Sequence, residues 1–344
     1  MNLSDLNAVL LLGTIALPLL LAAAMARRGW RSGVLRLAPW AALPALAVVF
    51  AVPQGAAASF AWLLLGSHLG LDQTGYIFLL FSATLWLVSG LFAQTYLADD
   101  AKRPRFFAFY LLAMAGNFGL ILAQDLVTFY VYFSLMSFSS YGLVIHNGES
   151  ESLRAGRIYL GLVVFGELML FAAMVMMATN ANSILLREVI ARPMSDITMA
   201  LLLLGFGIKA GALPLHVWLP LAHPAAPVPA SAVLSGAMIK AGLLGWIRFL
   251  PLGQVAFPEW GALVISAGLA AAFFGALVGV TQSNPKTVLA YSSISQMGLI
   301  TTAVGSVLMM PSLWPTALTA ILIYALHHAL AKGCLLYTSP SPRD

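Results

Sequence analysis

An all-α bundle of membrane-crossing helices is the fold this chain predicts, and two observations carry that prediction. Of its 344 residues 61% are hydrophobic and 8% charged, with a mean hydropathy of +0.92, which leaves too little polar surface for a fold bathed in water. Apolar runs of about twenty residues, the length a helix needs to cross the hydrocarbon core, recur along the whole sequence. About eleven transmembrane helices are expected, near 6–25, 34–52, 75–97, 106–124, 126–146, 157–178, 197–219, 229–250, 260–281, 286–305 and 316–336.

The first run is flanked by Asp5 rather than by Lys or Arg and has no small-residue cleavage site behind it, so it reads as a true span and not a removed signal. The second to sixth runs need no special account beyond their apolar length. The seventh contains Pro214 and Pro220, each of which removes a backbone donor, so a break is expected there. No connecting segment is long or polar enough for a soluble domain. Basic residues gather in alternate loops: Arg27, Arg28, Arg31 and Arg36, then Lys102, Arg103 and Arg105, then Arg154 and Arg157, then Lys286. The intervening loops are poorer, holding mainly Arg187 and Arg192, with Arg248 at a helix end. That bias places the N-terminus outside the cytoplasm of a bacterial-type inner membrane. It also accounts for most of the +5 net charge. No basic stretch is interleaved with stacking aromatics, so nucleic acid is not expected as a partner.

Cofactor chemistry finds little to rest on. A single cysteine, Cys334, excludes a disulfide framework or a cysteine-ligated iron–sulfur cluster within the chain. Phosphate-binding glycine loops are absent from the sequence. His327 and His328 are adjacent, a spacing that sends their side chains to different faces of a helix. No cofactor and no metal are therefore expected.

The informative residues are charged ones in apolar surroundings. Lys209, Lys240 and Lys332 each lie inside a long apolar stretch, and Glu167 is a lone acid deep inside another. An ionised group at mid-bilayer costs roughly 2.5–3.5 kcal/mol even on mild insertion scales, so such groups face a polar interior and carry function by default. Snorkelling to the interface is the competing account for the lysines, weakest for Lys240, near the centre of its run. Five prolines, Pro214, Pro220, Pro224, Pro227 and Pro229, separate Lys209 from Lys240. Broken helix at membrane depth is tolerated only where it is buried in protein or lines a wet cavity. Lys209, His216 and His223 are thus expected to border an internal polar region; a proline-rich surface turn with both histidines solvated is the alternative.

The stretch KAGALPLHVWLPLAHPAAPVPASAVLSGAMIKAG at 209–242, with NPKTVLAYSSISQMG at 284–298 and HHALAKG at 327–333, resembles the proton-conducting transporter family. Its members are the antiporter-like membrane subunits of respiratory complex I, of membrane hydrogenases and of multisubunit cation/proton antiporters. The resemblance covers about 106–335 closely and the first three helices more loosely. It implies five-helix units repeated in inverted orientation, each with a broken helix. On that pattern 1–105 is an N-terminal three-helix region, 106–250 the first proton-channel repeat with the broken seventh helix, 251–336 an incomplete second repeat, and 337–344 a polar tail that reads as truncated or foreign. It further implies that lysines matching Lys209 and Lys240 pass protons in succession and that the one matching Lys332 links onward. Histidines matching His216, His223, His327 and His328 lie beside that axis.

One departure matters. Where the family carries a glutamate in a WELMS-like run on the fifth helix, this chain has Phe133-Ser134-Leu135-Met136-Ser137. Glu167, on the next helix, is therefore expected to supply the counter-charge to Lys209; the competing account is a protonated, hydrogen-bonded packing residue. At ~4 Å and an effective dielectric of about 20, a carboxylate–ammonium pair is worth roughly 4 kcal/mol, enough for its separation to drive a proton onward. Lys286 is held as an uptake-side supporting residue because it belongs to a family-like block. Asp125 reads rather as an ordinary interfacial charge. Ser292, Ser293 and Ser295 can line a water path or bond back to their own helix.

The resulting expectation is a non-redox, proton-translocating subunit of an NADH-quinone oxidoreductase-like or hydrogenase-type complex, partnered by other membrane subunits, by protons and by the lipid bilayer. Two alternatives stand beside it: a subunit of a multisubunit cation/proton antiporter, where sodium or potassium is exchanged, and a non-conducting membrane scaffold of a redox or carbon-uptake complex.

Overall fold

In the computed structural model, which describes residues 3–338, eleven helical spans are long and apolar enough to cross a membrane. In order they are Ser4–Ala24, Arg28–Ala51, Gln73–Tyr96, Arg103–Leu122, Leu126–Val144, Ser150–Ala181, Asp196–Ala225, Val228–Phe249, Pro258–Gly279, Pro285–Met309 and Pro311–Thr338. The chain is a multi-pass membrane protein of the expected all-α class. Of the polar tail anticipated at 337–344, Tyr337 and Thr338 complete the eleventh span, and 339–344 lie outside the described residues.

Departures from the expected boundaries have local causes. The sixth span runs to 32 residues because the polar stretch before its apolar core is also helical, and it ends on Asn182 in the left-handed region at φ +50°. The second span is assembled from short helical pieces around Pro39 and Pro44. Between the second and third spans lies an antiparallel hairpin, β1 Ala57–Phe60 and β2 Ser67–Gly70, which the apolar periodicity did not announce. Gly66 at φ +95° turns the chain between them.

The hairpin corrects the reading of Asp125. That carboxylate is fully buried, caps the fifth span by accepting from the Thr128 N–H at 2.8 Å, and accepts from the His68 N–H at 2.8 Å. It is a helix cap shared with a hairpin rather than a solvated interfacial charge.

Close helix contact follows small residues. Gly261 and Gly268 of the ninth span face Gly305 and Gly298 of the tenth, and Gly275, one further step along the seven-residue repeat, meets the backbone of Tyr291 and Ser295. A Cβ placed at Gly298 would stand 2.6 Å from the Ala272 backbone nitrogen, and one at Gly268 2.6 Å from that of Thr302. The sixth span shows the opposite face: Phe165, Leu168, Phe171 and Val175 are exposed, whereas Glu167 is 5% exposed and points inward. The eighth span sits deepest, with every residue from 226 to 250 buried.

Candidate functional site

Lys209 owes its position to the break in the seventh span. The helix Asp196–Ala210 stops at Gly211, whose φ of +72° few other residues adopt. The chain resumes as a short turn and the helix Trp218–Ala225. The interruption frees carbonyls, and the Trp218 indole N–H donates to the Ile208 oxygen at 2.7 Å. Lys209 thus lies in the last turn of a half-helix, where the aligned peptide dipoles favour a cation. Its Nζ donates to the Tyr159 hydroxyl at 3.0 Å and stands over the Tyr159 and Phe133 rings, 5.5 and 6.0 Å from their centroids. Tyr159 in turn donates to the Ser137 carbonyl at 2.9 Å.

Glu167 reaches the same place from the sixth span. Its Oε2 accepts from the Ser134 hydroxyl at 2.5 Å, so the carboxylate occupies the neighbourhood of the position whose residue is serine here. Glu167 and Lys209 line one small cavity with Ser137 and Gly205. Direct pairing at ~4 Å, as the sequence suggested, is not what the geometry gives. Among the described residues no ion pair within 4.0 Å joins them; each charge is held by a hydroxyl.

Lys240 follows a distortion that the sequence did not reveal. Residues Leu234–Met238 form a π-helical turn, in which the Ile239 N–H reaches back to the Leu234 carbonyl at 3.2 Å. The Ser235 carbonyl thereby becomes available, and the Lys240 Nζ donates to it at 2.6 Å. Single π-turns of this kind recur at functional sites. Lys332, 3% exposed, donates to the Leu289 carbonyl of the tenth span at 3.0 Å.

The histidines divide. His223 and His328 are buried, and neither ring has a hydrogen-bond partner among the described residues. Both lie within electrostatic reach of Lys240 and Lys332. His216 is half-buried, edge-on to Phe274 at 5.1 Å. His327 is exposed on the outer face of the eleventh span and does not join this group. That corrects its placement beside the polar axis: adjacent helical residues diverge by about 100°, and His328 takes the inward face.

Lys286 is 5% exposed and donates to the Ala226 carbonyl at 2.8 Å, at the end of the second half of the broken span. It forms part of the wall of a polar cleft shared with Glu149, Glu151, Arg154 and Asn284, on the side that carries the basic loops. On the far side lies Arg248, which the sequence presents only as a charge at a helix end. It is 8% exposed, donates to the Leu120, Ile121 and Ala123 carbonyls at 3.0, 2.6 and 2.8 Å, and pairs with Asp72 at 3.2 Å. A basic residue near a span end carries no sequence signal for that role.

Residues 123–341 match the family described as NADH:quinone oxidoreductase/Mrp antiporter, TM. Hydrogenase-4 component B of Escherichia coli (strain K12) is 31% identical over 281 residues, 78% of this chain and 42% of that protein. NADH-quinone oxidoreductase subunit N of Desulforudis audaxviator is 30% identical over 79% of this chain and 55% of its own length. A putative antiporter subunit of Staphylococcus saprophyticus is 34% identical over 77% of this chain and 35% of its own length. Among solved structures, the Mrp complex from Dietzia sp. contains a chain that superposes with a TM-score of 0.81 at 25% identity, covering 96% of this chain and 37% of that one. The chain thus spans roughly a third to just over half the length of these relatives.

Proposed function

The chain belongs to the NADH:quinone oxidoreductase/Mrp antiporter transmembrane family, and from that premise we propose that it moves protons across a membrane as one subunit of a larger respiratory or hydrogenase-type complex. The observation that carries the reading is the row of buried ionisable groups: Glu167, Lys209, Lys240 and Lys332, all 5% exposed or less. Four such groups are costly to hold among apolar helices, and moving a proton is a use that explains the cost.

In this reading Glu167 and Lys209 are the loading pair. Ser134 fixes the carboxylate and Tyr159 the ammonium, so the two charges attract across a gap instead of locking together. An event elsewhere in the complex that weakens Glu167's field at Lys209 releases its proton toward Lys240. Lys332 then receives it, with His223 and His328 flanking both amines. Lys286 serves on the uptake side, at its polar cleft, and His216 borders the break. The 106–250 unit holds the loading pair and Lys240, and the 251–336 unit holds Lys332 and Lys286. The partners are other membrane subunits, as the names of the relatives suggest, and the membrane is the bacterial inner one with the N-terminus outside.

Cation/proton exchange is the second reading, favoured by the antiporter proteins among the relatives. A sodium or potassium gradient that alone drives proton uptake into vesicles would select it.

The relocated acid is tested by moving it back. In membrane vesicles carrying the complete complex, Glu167→Gln is expected to lower proton flux by roughly tenfold or more, the scale of losing one tuned proton-transfer partner. Adding Ser134→Glu to Glu167→Gln is expected to restore most of it. Full flux in Glu167→Gln, with Lys209→Met inactive, would remove Glu167 from the relay.

A further inference from the structure

Lys240 and Lys332 sit on different spans, and neither is paired with a carboxylate among the described residues. Each Nζ instead donates to a backbone carbonyl, Ser235 O at 2.6 Å and Leu289 O at 3.0 Å. Those two acceptors are joined through side chains. The Ser235 and Ser293 hydroxyls share a hydrogen bond of 3.0 Å, and the Ser293 hydroxyl donates to the same Leu289 carbonyl that Lys332 uses, at 3.0 Å. With its hydrogen engaged there, Ser293 accepts from Ser235. Both serines are fully buried, so the bond is made in a region of low dielectric, where it is strengthened and where losing it is costly.

The π-turn explains why this link exists. In a regular helix the Ser235 carbonyl would be occupied by the Ile239 N–H. Here that donor turns to Leu234, so Ser235 offers its carbonyl to Lys240 and its hydroxyl to the tenth span at once.

We infer that the Ser235–Ser293 hydroxyl pair is a positioning bridge that fixes the separation of the Lys240 and Lys332 amines and so sets the rate at which a proton passes between them. The inference rests on the proton-relay reading and assigns it a coupling element outside the ionisable residues. No proton resides on the bridge: the serines hold the π-turn against the tenth span, and each lysine is oriented by the carbonyl that the bridge holds in place. Loss of the Ser293 hydroxyl takes away the bond that the buried Ser235 hydroxyl makes, loss of the Ser235 hydroxyl leaves Ser293 with its bond to Leu289, and either frees the two amines to drift apart.

The test is a double-mutant cycle on proton flux in vesicles carrying the complete complex. Ser235→Ala and Ser293→Ala are each expected to slow flux by roughly tenfold to a hundredfold, the effect of misplacing transfer partners by about an ångström. Because Ser293→Ala removes the shared bond together with the one to the Leu289 carbonyl, the double variant is expected to be no slower than Ser293→Ala alone. Ser293→Thr, which keeps the hydroxyl, is expected to retain flux, whereas Ser293→Val, of the same shape without it, is not. Assembly of the complex, followed by immunodetection in the membrane, should be unchanged. Equal flux in Ser293→Thr and Ser293→Val, or multiplicative losses in the double variant, would overturn the bridge. Lys240→Ala measured alongside separates the two levels: intact flux there defeats the relay itself, whereas lost flux there with active serine variants defeats only the bridge.

Discussion

Single residues carry most of the account, and they differ in how openly the sequence displays them. A lysine or a glutamate in an apolar run is conspicuous, and Glu167, Lys209, Lys240 and Lys332 were legible for that reason. Ser134, visible as a departure from a motif, gained meaning once its hydroxyl was found on Glu167 at 2.5 Å. Tyr159 and Ser235 gave no sign, since one tyrosine or serine on an apolar helix looks like many others. A residue outside the spans yields a prediction of its own. His146 is buried between the fifth and sixth spans and contacts Asp100 at 3.0 Å. Burial lowers its pKa below the ordinary 6.5, and Asp100 opposes that in part while Arg105 and Lys102 add to it. A histidine that the fold keeps neutral contributes stability above its unfolded pKa, lost as pH falls through about 6.5 toward the lowered value. The detergent-solubilised protein should therefore unfold at a lower temperature near about pH 5.5 than near about pH 7.5. His146→Gln should flatten that difference; an unchanged slope in the variant would show that another group is responsible.

Elements are set by backbone chemistry that composition announces only in part. Prolines at 214, 220, 224, 227 and 229 announced the break in the seventh span, and the helix does end at Ala210. The π-turn at Leu234–Met238 had no such marker, because no proline lies within it and the misregister is absorbed in backbone hydrogen bonds. The 57–70 hairpin was hidden for a different reason: four-residue strands are too short for period-two alternation to stand out. The glycine seam between the ninth and tenth spans makes a direct prediction. Gly298→Ala puts a Cβ 2.6 Å from the Ala272 nitrogen and the Gly268 oxygen, and backbone cannot yield as a side chain can. A loss of about 1–3 kcal/mol is expected, the usual cost of overpacking, read as a lower unfolding temperature in detergent. Gly161→Ala, with open space around its Cβ, should be neutral or slightly stabilising by helix propensity. Equal stability of the two variants would mean that the seam is not tightly packed.

At the scale of the whole molecule, the arrangement reads as a graded enclosure. The sixth span shows bulky apolar side chains to the outside, the eighth is wrapped on all sides, and the ionisable groups line the surfaces between. Number and class of spans followed from apolar length alone, because the bilayer fixes how long a crossing helix must be. The mutual placement of the charges did not follow, since it depends on which helix faces turn inward. Thus the Ser134–Glu167 hydrogen bond, the gap between Glu167 and Lys209 and the outward turn of His327 were all unforeseen. The central claim, that buried amines hand on a proton, is met most directly at Lys240, which is fully buried and stands between Lys209 and Lys332 in the proposed relay. The deciding measurement is respiration- or substrate-driven proton flux in vesicles carrying the complete complex with Lys240→Ala. The account predicts a fall of roughly a hundredfold, in the range of a lost acid–base partner, with the complex assembled at its normal level; flux equal to wild type would contradict it.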